Sequence, residues 1–291
     1  MHSAGHLHLP HSDVMVAGKK LRFSEVNRNS RKRVDTLCTK EPTTLMWLES
    51  HTPGDVLIDV GGNVGMYSVY AAAVAGCRVY AFEPEALNYA ELNKNIFLNG
   101  LHDRITAFCC AVGAESGLST LYLSEFIAGT SHHDAGENRW EGPVTKIAPS
   151  AEARLPQGTC IVTLDDVVEN GWVPHPELIK IDVDGLEDRV LRGAEELLRD
   201  DRLQSVLLET DFRNPTGRAT IETMQGFGWQ YSLDQVRMAR FKLQTVGEWQ
   251  KQLHDRAGGC NIIWFRKPHA DKYETLFSQA AANYQPVAEN P

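Results

Sequence analysis

The stretch "DVLIDVGGNVGMYSVYAAAVAGCRVYAFEPE", residues 55–85, constrains the fold more than any other part of the chain. Its first six residues form an apolar run that reads as a strand buried on both faces, and a glycine-rich turn follows. Small and apolar residues over 64–75 are helix-like, and a second strand over 78–83 ends in a carboxylate. A strand, a helix and a strand in succession require a mainly parallel sheet covered by helices.

The alternation continues downstream. A helix is expected from Glu85 to Leu98, a third strand over 105–113, a fourth over 177–185 and a fifth over 204–210. Between the last two, Leu186, Val190, Leu191, Ala194, Leu197 and Leu198 fall on one helical stripe. Upstream, Pro42 opens a short lead-in helix, since proline is tolerated in a first turn. Two late segments, "WQYSLD" and "CNIIWFRK", read as strands without a crossover helix between them, so one of them is expected to be antiparallel. Residues 114–163 interrupt the alternation and read as a substrate-side insertion. The chain thus divides into an N-terminal tail or extension over 1–33, a main domain over 34–268 and a C-terminal tail over 269–291.

With 291 residues the chain suits a single α/β domain with extensions. Its formal net charge of -9 argues against nucleic acid as a partner, because phosphate binding needs a basic surface. The six cysteines show no metal-binding spacing and read as reduced thiols, no apolar run is long enough to span a membrane, and the first residues lack a secretory pattern. A cytoplasmic location is the expectation. His2, His6, His8 and His11 read as part of a polar tail rather than a metal site.

Open parallel sheets bind ligands beyond the carboxyl ends of their strands, which directs attention to the first turn. A dinucleotide fingerprint would read GxGxxG, but Asn63 stands at the second glycine's position and Met66 at the third. The turn instead reads Asp59-x-Gly61-x-Asn63-x-Gly65, with Glu83 ending the next strand. Asp59 is suited to organising the turn and reaching an ammonium group, directly or through water. Glu83 is suited to accepting hydrogen bonds from both hydroxyls of a ribose. S-adenosyl-L-methionine carries a ribose and an α-amino acid without phosphate, and is the ligand such a turn should prefer.

"LIDVGGNVGMYS", "VYAFEPEALNYAELNKNIFLNG", "VTLDDVV" and "IKIDVDGLEDRVLRGAEELL" resemble the consecutive motifs of FkbM-type S-adenosylmethionine-dependent methyltransferases, over about 41–210. The resemblance implies a class I methyltransferase fold, a Rossmann-like seven-stranded sheet with its last strand antiparallel. It also implies O-methylation of a hydroxyl on a sugar, glycan or natural product. Matched position by position, Asp59, Gly61, Asn63 and Gly65 fall on the cofactor turn, and Glu83 and Pro84 on the ribose-binding strand end. Ala111 and Val112 fall beside the adenine, and Asp182 where cofactor and acceptor meet. Gly62 stands where alanine is more usual, and Asp184 replaces a glutamate.

Methyl transfer to an alcohol requires removal of the hydroxyl proton. Asp182 is the first candidate for that base or for a group orienting the acceptor, and its alternative role is to cap the following helix. His132, next to His133, is another candidate base, and Glu209 either orients the acceptor or serves packing. Asp165 and Asp166 read as helix caps. Asp182, Asp184 and Glu209 are able to converge on a cation, but the pattern includes no histidine and no metal is expected. Two other functions share the fold: a nicotinamide-dependent oxidoreductase, and a non-catalytic S-adenosylmethionine-binding protein.

Overall fold

The computed structural model describes residues 10–123, 126–130, 134–135, 155–211, 215–241 and 259–283. It begins with a hairpin, β1 (His11–Val16) and β2 (Lys19–Ser24), paired antiparallel. Ala17 and Gly18 close the turn with φ of 48° and 73°, the double positive-φ geometry that suits a two-residue hairpin. Leu21 and Phe23 of β2 lie in the core, and Asn95 and Asn99 accept from the backbone N–H groups of Ser24 and Arg22. The stretch expected to be a tail over 1–33 therefore includes a packed hairpin, because two apolar residues at alternate positions suffice to seat one face of a strand.

Asn27 caps α1 (Arg28–Thr36) by accepting from the backbone N–H of Ser30, and Pro42 opens α2 (Pro42–Glu49) as expected. The central unit follows as β3 (Val56–Val60), α3 (Met66–Tyr70) and β4 (Arg78–Phe82), a π-turn over Ala71–Ala75 extending the helix. Next come α4 (Ala86–Leu98) and β5 (Ile105–Phe108). Just before the insertion, β6 (Ala111–Val112) joins the insertion's own β7 (Gly117–Leu123), β8 (Asp134–Ala135) and β9 (Leu155–Val162) in a separate sheet of order β6-β9-β7-β8.

After α5 (Leu164–Glu169) and β10 (Leu178–Ile181), the expected single helix is split into α6 (Glu187–Arg192) and α7 (Glu195–Arg199). Gly193 marks the break: a Cβ there would lie 2.1 Å from the carbonyl oxygen of Gly113, so only glycine lets the two backbones meet. The chain continues through β11 (Ser205–Asp211), α8 (Pro215–Gly226), β12 (Gln230–Tyr231), α9 (Leu233–Phe241), β13 (Gly259–Phe265) and α10 (Ala270–Asn283). Tyr273 and Phe277 of α10 are fully buried, so the expected C-terminal tail packs as a helix.

The main sheet has seven strands in the order β12-β13-β11-β10-β3-β4-β5, and β13 runs antiparallel to β11 and β12. Alternate strand residues serve two cores. Leu57, Leu178, Leu207 and Ile263 face one cluster, whereas Ile58, Ile179, Leu208 and Ile262 face the other. Among the described residues no helix is long and apolar enough to cross a membrane.

Candidate active site

The turn after β3 is held by its neighbours before any ligand is considered. The N–H groups of Gly61 and Gly62 both donate to the Phe82 carbonyl, at 2.9 and 3.0 Å. Gly61 has φ 75°, and a Cβ there would sit 2.0 Å from the Asp182 carbonyl oxygen. Gly65 has φ 82°, and a Cβ there would strike Leu92. Both positions thus require glycine for close packing against protein as well as for backbone conformation. Asn63 adopts φ 49° and its side chain donates to the Thr130 carbonyl at 2.8 Å.

Glu83, just past β4, is buried and accepts from the backbone N–H groups of Asn63 at 2.8 Å and Glu85 at 2.9 Å. Burial pushes its carboxyl up to about 7. Glu83, Pro84, Ala111, Val112, Asn63 and Asp182 all line one cleft with about 590 Å³ of empty space. A second cleft, about 480 Å³, lies on the other side of the turn against Arg33, Lys40, Tyr67 and Lys180. Gly61, Asn63 and Asp182 border both clefts.

Asp59 departs from expectation. Its carboxylate is 1% exposed, lines neither cleft, and is engaged by Lys180 Nζ at 3.2 Å and by the Ser68 hydroxyl at 2.5 Å. It organises the turn from beneath, and its charge is already neutralised within the fold. Lys180 also reaches Asp182 at 3.4 Å. Burial would lower the lysine's pKa, but Asp59 and Asp182 hold it above its ordinary value. Conversely, burial opposes ionisation of Asp182, while Lys180 and Lys40 keep its carboxyl below the usual range. Lysine in the apolar strand "ELIKIDV" was the available sequence signal, since a buried cation needs a partner.

Glu209, on β11, lies beside Asp182, with carboxylate oxygens of the two within 4.8 Å of each other. Burial and the adjacent Asp182 charge push it up to about 9, so at neutral pH Glu209 holds a proton and Asp182 does not. Asp182, Asp184 and Glu209 bring ligand oxygens within 4.8 Å of one another, close enough to share a divalent cation. Asp165 accepts from the first N–H groups of α7, at Glu196 and Leu197, and Thr163 rather than an aspartate caps α5. His132 and His133 lie outside the described residues.

A model of the methyltransferase FkbM domain matches residues 59–239. The chain belongs to the FkbM methyltransferase family. It is 32% identical over 160 residues to the 31-O-demethyl-FK506 methyltransferase FkbM of Streptomyces tacrolimicus, covering 50% of this chain and 61% of that protein. The match to hexuronic acid methyltransferase AglP of Haloferax volcanii is 27% identical over 184 residues, covering 63% and 68%. A solved S-adenosylmethionine-dependent methyltransferase from Agrobacterium tumefaciens superposes with a TM-score of 0.43 at 11% identity, covering 89% of this chain and 70% of that one. The chain therefore spans about three-fifths of the length of its FkbM relative. The matched segment is thus an FkbM methyltransferase domain, a family that implies S-adenosylmethionine as cofactor.

Proposed function

We propose that this FkbM domain transfers the methyl group of S-adenosylmethionine to a hydroxyl of a sugar, glycan or natural product. The observation that carries the reading is the meeting of the two clefts at Asp182, with Glu83 on one side and a polar, charged pocket on the other. Two Glu83 oxygens beside a mainly apolar wall of Phe82, Pro84 and Val112 suit a ribose and its purine. Beyond the turn, the second cleft suits the amino-acid end.

When bound, the cofactor supplies an electrophilic methyl on a positively charged sulfur. The chain's own residues then have three tasks. Glu83 accepts the ribose hydroxyls. The Gly61–Asn63 turn and Asp182 align an acceptor hydroxyl with the methyl carbon, a task that supplies much of the acceleration in such reactions. Asp182, kept ionised by Lys180, takes the hydroxyl proton on a carboxylate oxygen, while the neighbouring Glu209 retains its own.

The relatives' names, one a 31-O-demethyl-FK506 methyltransferase and the other a hexuronic acid methyltransferase, support an oxygen of a natural product or sugar as the acceptor. The net charge of -9 favours a small-molecule or glycan acceptor over nucleic acid. Isotope-labelled S-adenosylmethionine, offered with a panel of sugars, nucleotide sugars and phenols, tests the reading. Label transferred to a hydroxyl oxygen supports it, and label found on nitrogen or carbon of the accepted compound sinks it.

A further inference from the structure

The cleft on the α1 side of the glycine turn is lined by three cations among the described residues, Arg33, Lys40 and Lys180. Two of them are engaged. Lys180 pairs with Asp59 and Asp182, and Lys40 lies 2.7 Å from Glu41. Arg33 differs: among the described residues no carboxylate pairs with it, and its one hydrogen bond runs from Nε to the Gly129 carbonyl at 3.0 Å. The two terminal nitrogens are left to meet a ligand.

That single bond places the guanidinium in a braced setting. Residues 126–130 are stitched to three elements at once. Asn27 donates to the Ala128 carbonyl at 2.8 Å, Asn88 accepts from the Gly129 N–H at 2.7 Å, and Asn63 of the turn donates to Thr130. Arg33 is therefore oriented by the same network that shapes the cofactor turn. A guanidinium held by Nε with both terminal nitrogens free presents a fork that fits a carboxylate with two parallel hydrogen bonds.

An α-amino acid carries a carboxylate and an ammonium on one carbon, so its pocket needs opposite charges close together. This cleft has them in Arg33 and the part-exposed Asp182, whereas the carboxylate that the sequence offers for the ammonium, Asp59, is buried against Lys180. An acceptor hydroxyl calls on Asp182 for removal of its proton but gives a guanidinium no anion to bind. We infer that Arg33 binds the carboxylate at the amino-acid end of the methyl donor. The inference rests on the donor reading above and assigns a donor-binding residue upstream of the matched 59–239 segment.

The test compares two ligands by calorimetry, S-adenosylmethionine and its decarboxylated analogue, on the wild-type chain, Arg33→Met and Arg33→Lys. The wild type should prefer the carboxylate-bearing ligand by about tenfold or more, as expected for a charge-assisted bidentate contact. Arg33→Met should bind the decarboxylated analogue as the wild type does and lose most of the preference, and Arg33→Lys should recover part of it. Equal wild-type affinity for the two ligands overturns the inference without need of any variant. A preference that survives in Arg33→Met also overturns it, as does a selective loss of turnover on carboxylate-bearing acceptors with donor preference intact, which would assign Arg33 to the acceptor. Failure of the wild type to bind either ligand would remove the donor reading itself, and this inference with it.

Discussion

Lys180 and Asp59 are register partners across β10 and β3, with Nζ 3.2 Å from a carboxylate oxygen and side-chain exposures of 2% and 1%. Removing one member of such a buried pair strands the other charge. Lys180→Met should cost about 3 to 5 kcal/mol in denaturant unfolding, and the double change Lys180→Met with Asp59→Asn should recover most of that loss. Equal stability of the single and double variants would show that the pair is not coupled.

Asp182 stands where both clefts meet, and Lys180 keeps it ionised. Asp182→Asn preserves size but removes the proton acceptor. The expected outcome is a fall in single-turnover rate of about 10² to 10⁴-fold at saturating S-adenosylmethionine, beyond the loss of donor affinity that follows from removing a carboxylate facing the donor's amino-acid end. A near wild-type rate would move the base to another group.

Glu83 is pushed up to about 7 by burial, and ribose hydroxyls donate best to its ionised form. Donor affinity should therefore rise as pH increases through about 7 in the wild type. In Glu83→Gln it should be flat with pH and weaker by about 1.5 to 3 kcal/mol on the alkaline side. Calorimetry at stepped pH checks both the slope and its loss.

Glu209 is displaced upward from its ordinary 4.5 to about 9 in the fold. Between those values the folded protein holds a proton that the unfolded chain releases, so stability must fall as pH rises across the window. Glu83 and Glu187, both pushed up to about 7, steepen the lower part of the fall. Thermal unfolding should show Tm decreasing from pH 6 to pH 9, and Glu209→Gln should flatten the decline above pH 7. An unchanged slope in that variant would exclude Glu209 as its source.

Adjacent glycines of the turn should respond in opposite ways to alanine. At Gly61 a Cβ would overlap the Asp182 carbonyl and the left-handed backbone adds about 1 to 3 kcal/mol of strain, so Gly61→Ala should lose both stability and donor binding. At Gly62 a Cβ would meet Ala81, Leu92 and Asp59 at 3.5 to 3.8 Å, ordinary contact distance. Gly62→Ala should fold with unchanged donor affinity and gain about 0.4 to 1 kcal/mol from a less flexible unfolded chain. Paired melting and binding curves distinguish the two.

The alternating sheet, the glycine turn and the carboxylate at Glu83 are legible in the residues alone, because strand runs, helical stripes and turn residues act over a few neighbouring positions. The helix break at Gly193 escaped such a reading, since the apolar stripe continues past a glycine whose reason for being there is the distant Gly113 backbone. The hairpin of β1 and β2 escaped for a related reason: Leu21 and Phe23 are its fully buried apolar residues, with Val14 and Val16 half-buried against the same core, and so few apolar positions do not stand out in a polar segment. At the site, Asp59 is legible as a turn residue but not as the partner of Lys180, and Arg33 is legible only as one cation of a basic run. Tertiary structure decided these roles because the charge a carboxylate or guanidinium presents to a ligand depends on which opposite charge the register and packing have already brought beside it.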